Sequence, residues 1–160
     1  MIPPGAREPM RLASTALLMA VTVASAANAQ AIKRDVTPPT SFLARSVEVP
    51  PGASTLWVSG IPSNVAGGTG PQTADVLAKL GVSLKAAGYD YGDVVNVKVY
   101  LVGDPVKAGA MDFASMNAEY QKVFGTPVQP NKPSRVTVQI AGLAMPGALV
   151  EIELTAAKVK

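Results

Sequence analysis

Along the chain the apolar positions recur with a period of two, then of about 3.6, then of two again, in an order that predicts strands alternating with helices. Residues 42–49 and 55–59 read as short strands separated by the turn signal Pro50-Pro51-Gly52, and the Gly- and Ser-rich residues 61–70 as a loop. Over 72–87 the apolar residues Val76, Leu77, Leu80, Leu84 and Ala87 form the stripe of a helix packed on one face, with Gly88 as its C-terminal stop. Gly81 inside that helix costs about 1 kcal/mol relative to Ala, and reads as a tolerated residue rather than a point of close approach. Residues 93–102 alternate cleanly, with Val95, Val97, Val99 and Leu101 opposite Asn96, Lys98 and Tyr100. A second helix is expected from Asp112, as N-cap, to Phe124, with Phe113, Met116, Tyr120 and Val123 buried and Gly125 ending it. The proline-bearing loop 126–134 follows.

Two closing strands are expected at 135–140 and 149–155. In the first, Val136, Val138 and Ile140 share one face, leaving Arg135, Thr137 and Gln139 on the other. In the second, Val150, Ile152 and Leu154 oppose Leu149, Glu151 and Glu153. Two helices can cover the Val/Ile faces of such a sheet, and nothing remaining in the chain can cover the other face. That second face, expected to hold Trp57, Tyr100 and Leu149 among its charges, is too apolar for a solvated sheet and is expected to pack against other copies of the chain.

Ahead of this region the pattern changes. Arg11, an apolar stretch over 12–24 and small residues ending in Ala27-Asn28-Ala29 have the three-part layout of a secretory signal peptide over residues 1–29, with cleavage expected after Ala29. The apolar stretch is too short for a hydrocarbon core that needs about 20 residues, so no stable membrane association is expected after cleavage. A periplasmic or secreted product follows. Residues 30–40 mix charge with a Pro pair and read as a flexible mature N-terminus, and residues 41–160 as one domain.

Composition narrows the chemistry. The chain of 160 residues has neither His nor Cys, which excludes a Ser-His-Asp triad, a thiol nucleophile, the usual zinc sites and any disulfide. No spaced cluster of carboxylates offers a metal site, and no cofactor is expected. The net charge of +3 arises from scattered Lys and Arg with no run able to track a phosphate backbone, so no nucleic-acid partner is expected.

The stretches QTADVLAKLGVSLKAAG (72–88), DVVNVKVYL (93–101), MDFASMNAEYQKVFG (111–125), PSRVTVQIAGL (133–143) and PGALVEIE (146–153) together resemble the Rid/YjgF/YER057c/UK114 family in order and spacing. The likeness covers roughly residues 54–157. It implies an α+β fold like that of chorismate mutase of the bacterial trimeric type, a mixed sheet with two helices on one face, assembled as a homotrimer with clefts between subunits. For the deaminase branch it implies hydrolysis of 2-enamine and 2-imine acids to 2-oxo acids and ammonia. The alternative is a non-catalytic trimer that binds small carboxylates, or acts as a chaperone, through the same cleft. The endoribonuclease label attached to parts of the family suits this chain poorly, given its modest charge and lack of histidine.

By the same resemblance Arg135 corresponds to the arginine that grips the substrate carboxylate, a task suited to a planar guanidinium able to make two parallel hydrogen bonds. Glu151 corresponds to the glutamate that directs the attacking water, as a carboxylate can take and return the proton. Ser59 and Gly60 correspond to a Ser-Gly pair lining the cleft, Asn117 to a helix asparagine near it, and Thr137 stands where a cysteine is frequent. The family's tyrosine upstream of Ser-Gly has no secure counterpart around Phe42, and Ile61 replaces a common Gln. On the strand pattern alone Arg135 reads as a structural residue paired with Glu151 or Glu153.

Overall fold

The computed structural model describes residues 31–63 and 65–159; the leader expected over 1–29, with its cleavage point, lies outside them. Strands β1 (Lys33–Asp35) and β2 (Ser46–Glu48) pair with each other; β3 (Ser54–Pro62), β4 (Val94–Val102), β5 (Ser134–Ile140) and β6 (Val150–Lys158) form a second sheet; α1 spans Thr69–Ala86 and α2 Phe113–Tyr120.

The four-stranded sheet has the order β3-β6-β4-β5. β6 runs antiparallel to both β3 and β4, while β5 runs parallel to β4. The connections β3-α1-β4 and β4-α2-β5 therefore join parallel strands and step across the sheet in the same direction. Right-handed crossovers then place both helices on the same face. The core forms between that face and the helices, from Val76, Leu80 and Leu84 of α1, Met116 and Tyr120 of α2, Val97, Val99 and Leu101 of β4, and Val150, Ile152 and Leu154 of β6. Among the described residues nothing covers the other face, where Trp57 is 76% exposed.

α1 starts at Thr69, ahead of the expected 72, because its cap comes from far along the chain. Gly68 offers no side chain, and the buried Asp104 accepts hydrogen bonds from Thr69 N (3.4 Å) and Oγ1 (3.1 Å) instead. α2 begins as expected, with Asp112 accepting from Ser115 N at 3.1 Å, but ends at Tyr120, four residues early. The chain then turns so that Phe124 still packs in the core.

Two sequence expectations are corrected. Residues 33–35, read as part of a flexible N-terminus, form β1, held by Arg34 donating to the carbonyls of Val94 (3.0 Å) and Gly92 (3.1 Å). Gly81 is a point of close approach. A Cβ there would lie 3.2 Å from the ring of Tyr91, which is held edge-on against Phe124 and donates its hydroxyl to Leu77 O. Burial pushes the Tyr91 hydroxyl up to about 12. Gly81→Ala gains about 1 kcal/mol of helix propensity, but crowding a fixed ring costs about 1–3 kcal/mol. The expected result is a net loss of stability in urea denaturation; a variant more stable than wild type would show that Tyr91 yields.

Candidate functional site

The strand carrying Arg135 faces opposite to the expected direction. Register pairs Arg135 with Val97 and Thr137 with Val99, both fully buried toward the helices, so Arg135, Thr137 and Gln139 share the helix side. Val136 and Val138, expected in the core, are 47% and 39% exposed on the uncovered face. β5 is the edge strand, and at its start the helix side is occupied by α2, whose polar and aromatic residues accommodate a guanidinium rather than a valine.

Arg135 sits among three rings. Its Cζ lies 4.2 Å from the centroid of Tyr120, 5.2 Å from Phe42 and 5.5 Å from Phe113. One guanidinium nitrogen donates to Asn117 Oδ1 at 3.0 Å. Among the described residues its other N–H groups have no protein acceptor, and no carboxylate pairs with it. Phe113, Asn117 and Tyr120 fall at i, i+4 and i+7, one face of α2. Phe42 arrives from a distant segment strapped to the approach to β5: Ala44 N donates to Pro133 O (3.0 Å) and Lys132 Nζ to Ser41 O (2.6 Å). Burial lowers the pKa of Arg135, and the nearby Tyr120 hydroxyl opposes that shift. The Tyr120 hydroxyl is itself pushed up by burial. Among the described residues the buried hydroxyls of Tyr120 and Thr137 have no hydrogen-bond partner. Neither Phe42 nor Tyr120 was assigned to the site from sequence; the visible signal was the Phe-Asn-Tyr spacing on α2.

A second group lies on the uncovered face. Glu151 alternates with the buried Val150 and Ile152, and pairs in register with Tyr100 and Pro62. β3 bulges between Val58 and Ile61, which brings Gly60 against Glu151. A Cβ at residue 60 would overlap the Glu151 carboxylate, so any side chain there would displace Glu151 from its place against the bulge. Among the described residues Glu151 has neither hydrogen bond nor ion pair, whereas Glu153 binds Lys98 at 2.6 Å. Ser59 borders a shallow cavity of about 300 Å³ with Trp57, Asn96, Lys98 and Glu153.

The predicted residues thus fall into two sets, Arg135 with Asn117 and Thr137 on the helix side, and Glu151 with Ser59 and Gly60 on the open side. β4 also separates β5 from β6. Within one chain Arg135 and Glu151 cannot grip the same small molecule, and pairing of Arg135 with Glu151 or Glu153 is overturned. A cavity of about 520 Å³ elsewhere includes Arg34, Asp93, Asn131 and Lys158, but these are already joined to the backbone or to each other, Lys158 meeting Asp93 at 3.2 Å.

A family model described as endoribonuclease L-PSP matches residues 47–158. A RutC family protein of Pyrococcus horikoshii is 40% identical over 87 residues, 54% of this chain and 60% of the relative, so the match spans less than two thirds of that protein. A 2-iminobutanoate/2-iminopropanoate deaminase of Rattus norvegicus is 37% identical over 109 residues, covering 64% of this chain and 72% of the relative. Among solved structures, YyfB of Yersinia pestis, a protein of the conserved Rid family, superposes with a TM-score of 0.62 at 26% identity, covering 78% of this chain and 98% of the other.

Proposed function

The chain belongs to the Rid/YjgF family, with its chorismate-mutase-like fold, and from that premise we propose that it hydrolyses 2-enamine and 2-imine acids to 2-oxo acids and ammonia. The observation that carries this reading is the guanidinium of Arg135, held in place by three rings and one Asn117 hydrogen bond while its remaining N–H groups stay free for a carboxylate. Deaminase relatives such as the rat protein support the same chemistry.

In the proposed reaction Arg135 binds the substrate carboxylate, and an enamine first tautomerises to the imine. Glu151 accepts a proton from water as its oxygen adds to the C=N carbon, then returns a proton to nitrogen. Glu151 then relays the hydroxyl proton of the carbinolamine to its amine, and collapse to C=O breaks the C–N bond and releases ammonia. Because Arg135 and Glu151 lie on opposite faces of one sheet, each site takes Arg135 from one chain and Glu151 from another. The assembly is a homotrimer packed through the uncovered face, where Trp57, Val136 and Val138 are exposed. The leader pattern of residues 10–29 supports export, and on this reading the reaction runs outside the cytoplasm.

Imino acids made by an amino-acid oxidase and trapped with semicarbazide test the activity directly. The protein is expected to lower the yield of trapped adduct. If the adduct is unchanged for imino acids from several amino acids, the chain is a carboxylate-binding protein and the hydrolase reading fails.

A further inference from the structure

We propose that Phe42 and Phe113 are specificity-determining residues, selecting acids whose side chain is apolar and larger than methyl. The inference rests on the reading of Arg135 as the carboxylate anchor. Tyr120, fully buried, backs the guanidinium and offers a ligand no surface. Phe113 is 39% exposed and Phe42 half-buried, so the rings at 5.5 and 5.2 Å from Cζ keep accessible surface beside the free N–H groups. A carboxylate held by an arginine lies within about 3 Å of its nitrogens. The substituent on the next carbon therefore begins beside those same rings.

What surrounds the anchor also argues against a second charge on the ligand. Among the described residues the side-chain hydrogen-bond partner of Arg135 is Asn117, the buried hydroxyls of Tyr120 and Thr137 lie on the same side, and Lys132 beside Phe42 is taken up by the carbonyls of Ser41 and Pro39. Lys98 and Glu153 lie on the face that a neighbouring chain would bring to this site with Glu151, and they are bound to each other. A side chain bearing a second carboxylate would lose water against these rings and face Glu151 of the neighbouring chain without gaining a free cation. An apolar one covers ring surface, and each added methylene in such a setting changes selectivity by roughly tenfold or more. The backbone that carries each ring is pinned in the unliganded chain, around Phe42 by the strap to residues 132–133 and at Phe113 by the Asp112 cap.

Titration calorimetry with 2-oxo acids, the products of the proposed reaction, tests this without requiring turnover. 4-Methyl-2-oxopentanoate is expected to bind at least about tenfold tighter than pyruvate, and 2-oxoglutarate more weakly than 4-methyl-2-oxopentanoate by at least as much. In Phe42→Ala and Phe113→Ala the first ratio is expected to fall at least about fivefold, with Phe42→Leu and Phe113→Leu intermediate. A wild-type ratio near one, a ratio unmoved in all four variants, or no binding of any 2-oxo acid overturns the inference. Preference without imine hydrolysis sinks the hydrolase reading alone; hydrolysis without preference sinks the specificity inference alone.

Discussion

Arg135→Ala is expected to leave the semicarbazide adduct of an oxidase-generated imino acid at the level seen with no protein. Its guanidinium is the only cation in the cage formed by Phe42, Phe113 and Tyr120 among the described residues. Losing a charged two-point contact to a carboxylate costs about 3–4 kcal/mol, roughly 10²–10³-fold in kcat/KM. Arg135→Lys retains charge but has neither the fork nor the flat face that stacks on Tyr120, and is expected to recover only a small part of the activity. A purely structural arginine would behave otherwise. Its loss would lower the melting temperature, through the missing Asn117 bond and ring contacts, and leave turnover per folded chain near wild type. Adduct assay and thermal melt run on the same preparation separate the two outcomes, and activity within threefold of wild type would remove Arg135 from the mechanism.

The second large effect is expected from mixing two inactive proteins. Arg135→Ala and Glu151→Gln are each expected to disable every site when assembled alone, since each proposed site needs both residues. Co-expressed in equal amounts, they are expected to form mixed trimers in which, on the proposed arrangement, one chain supplies Arg135 and its neighbour supplies Glu151. Random assembly of a cyclic trimer leaves about one interface in four with both residues intact, so about a quarter of wild-type activity returns. Were both residues used from a single chain, co-expression would restore nothing. No return of activity from a trimer shown by native mass spectrometry to contain both variant chains would therefore refute the shared site. The register gives the expectation its force: Arg135 is level with the buried Val97, and Glu151 is level with Tyr100 on the opposite face.

Much of the architecture was legible in the order of the residues. The alternation of residues 93–102 marked β4, the stripe of Val76, Leu77, Leu80 and Leu84 marked α1, and Asp112 marked the start of α2, because each signal is local and repeats with the period of its own element. The early start of α1 was not legible, since its cap, Asp104, lies 35 residues from Thr69. Nor was the crowding at Gly81, which comes from the ring of Tyr91.

The candidate site divides in the same way. Arg135, Glu151, Gly60 and Asn117 were named from sequence, because residue type and spacing along the chain carried the family resemblance. Their grouping was not. Alternation in β5 showed that Arg135 and Thr137 share a face and that Val136 and Val138 share the other, and preference for buried valine assigned those faces the wrong way round. A period of two has no sign of its own; only pairing with β4, whose Val97 and Val99 lie under the helices, decides which side is in. Tertiary structure also brought Phe42 to Arg135 across 93 residues and set Gly60 against Glu151 through a bulge. Sequence by itself determined the elements, the family and the residues able to do chemistry. The fold decided which of them meet, because contacts between distant segments depend on sheet register and crossover direction, and neither is a local property of the chain.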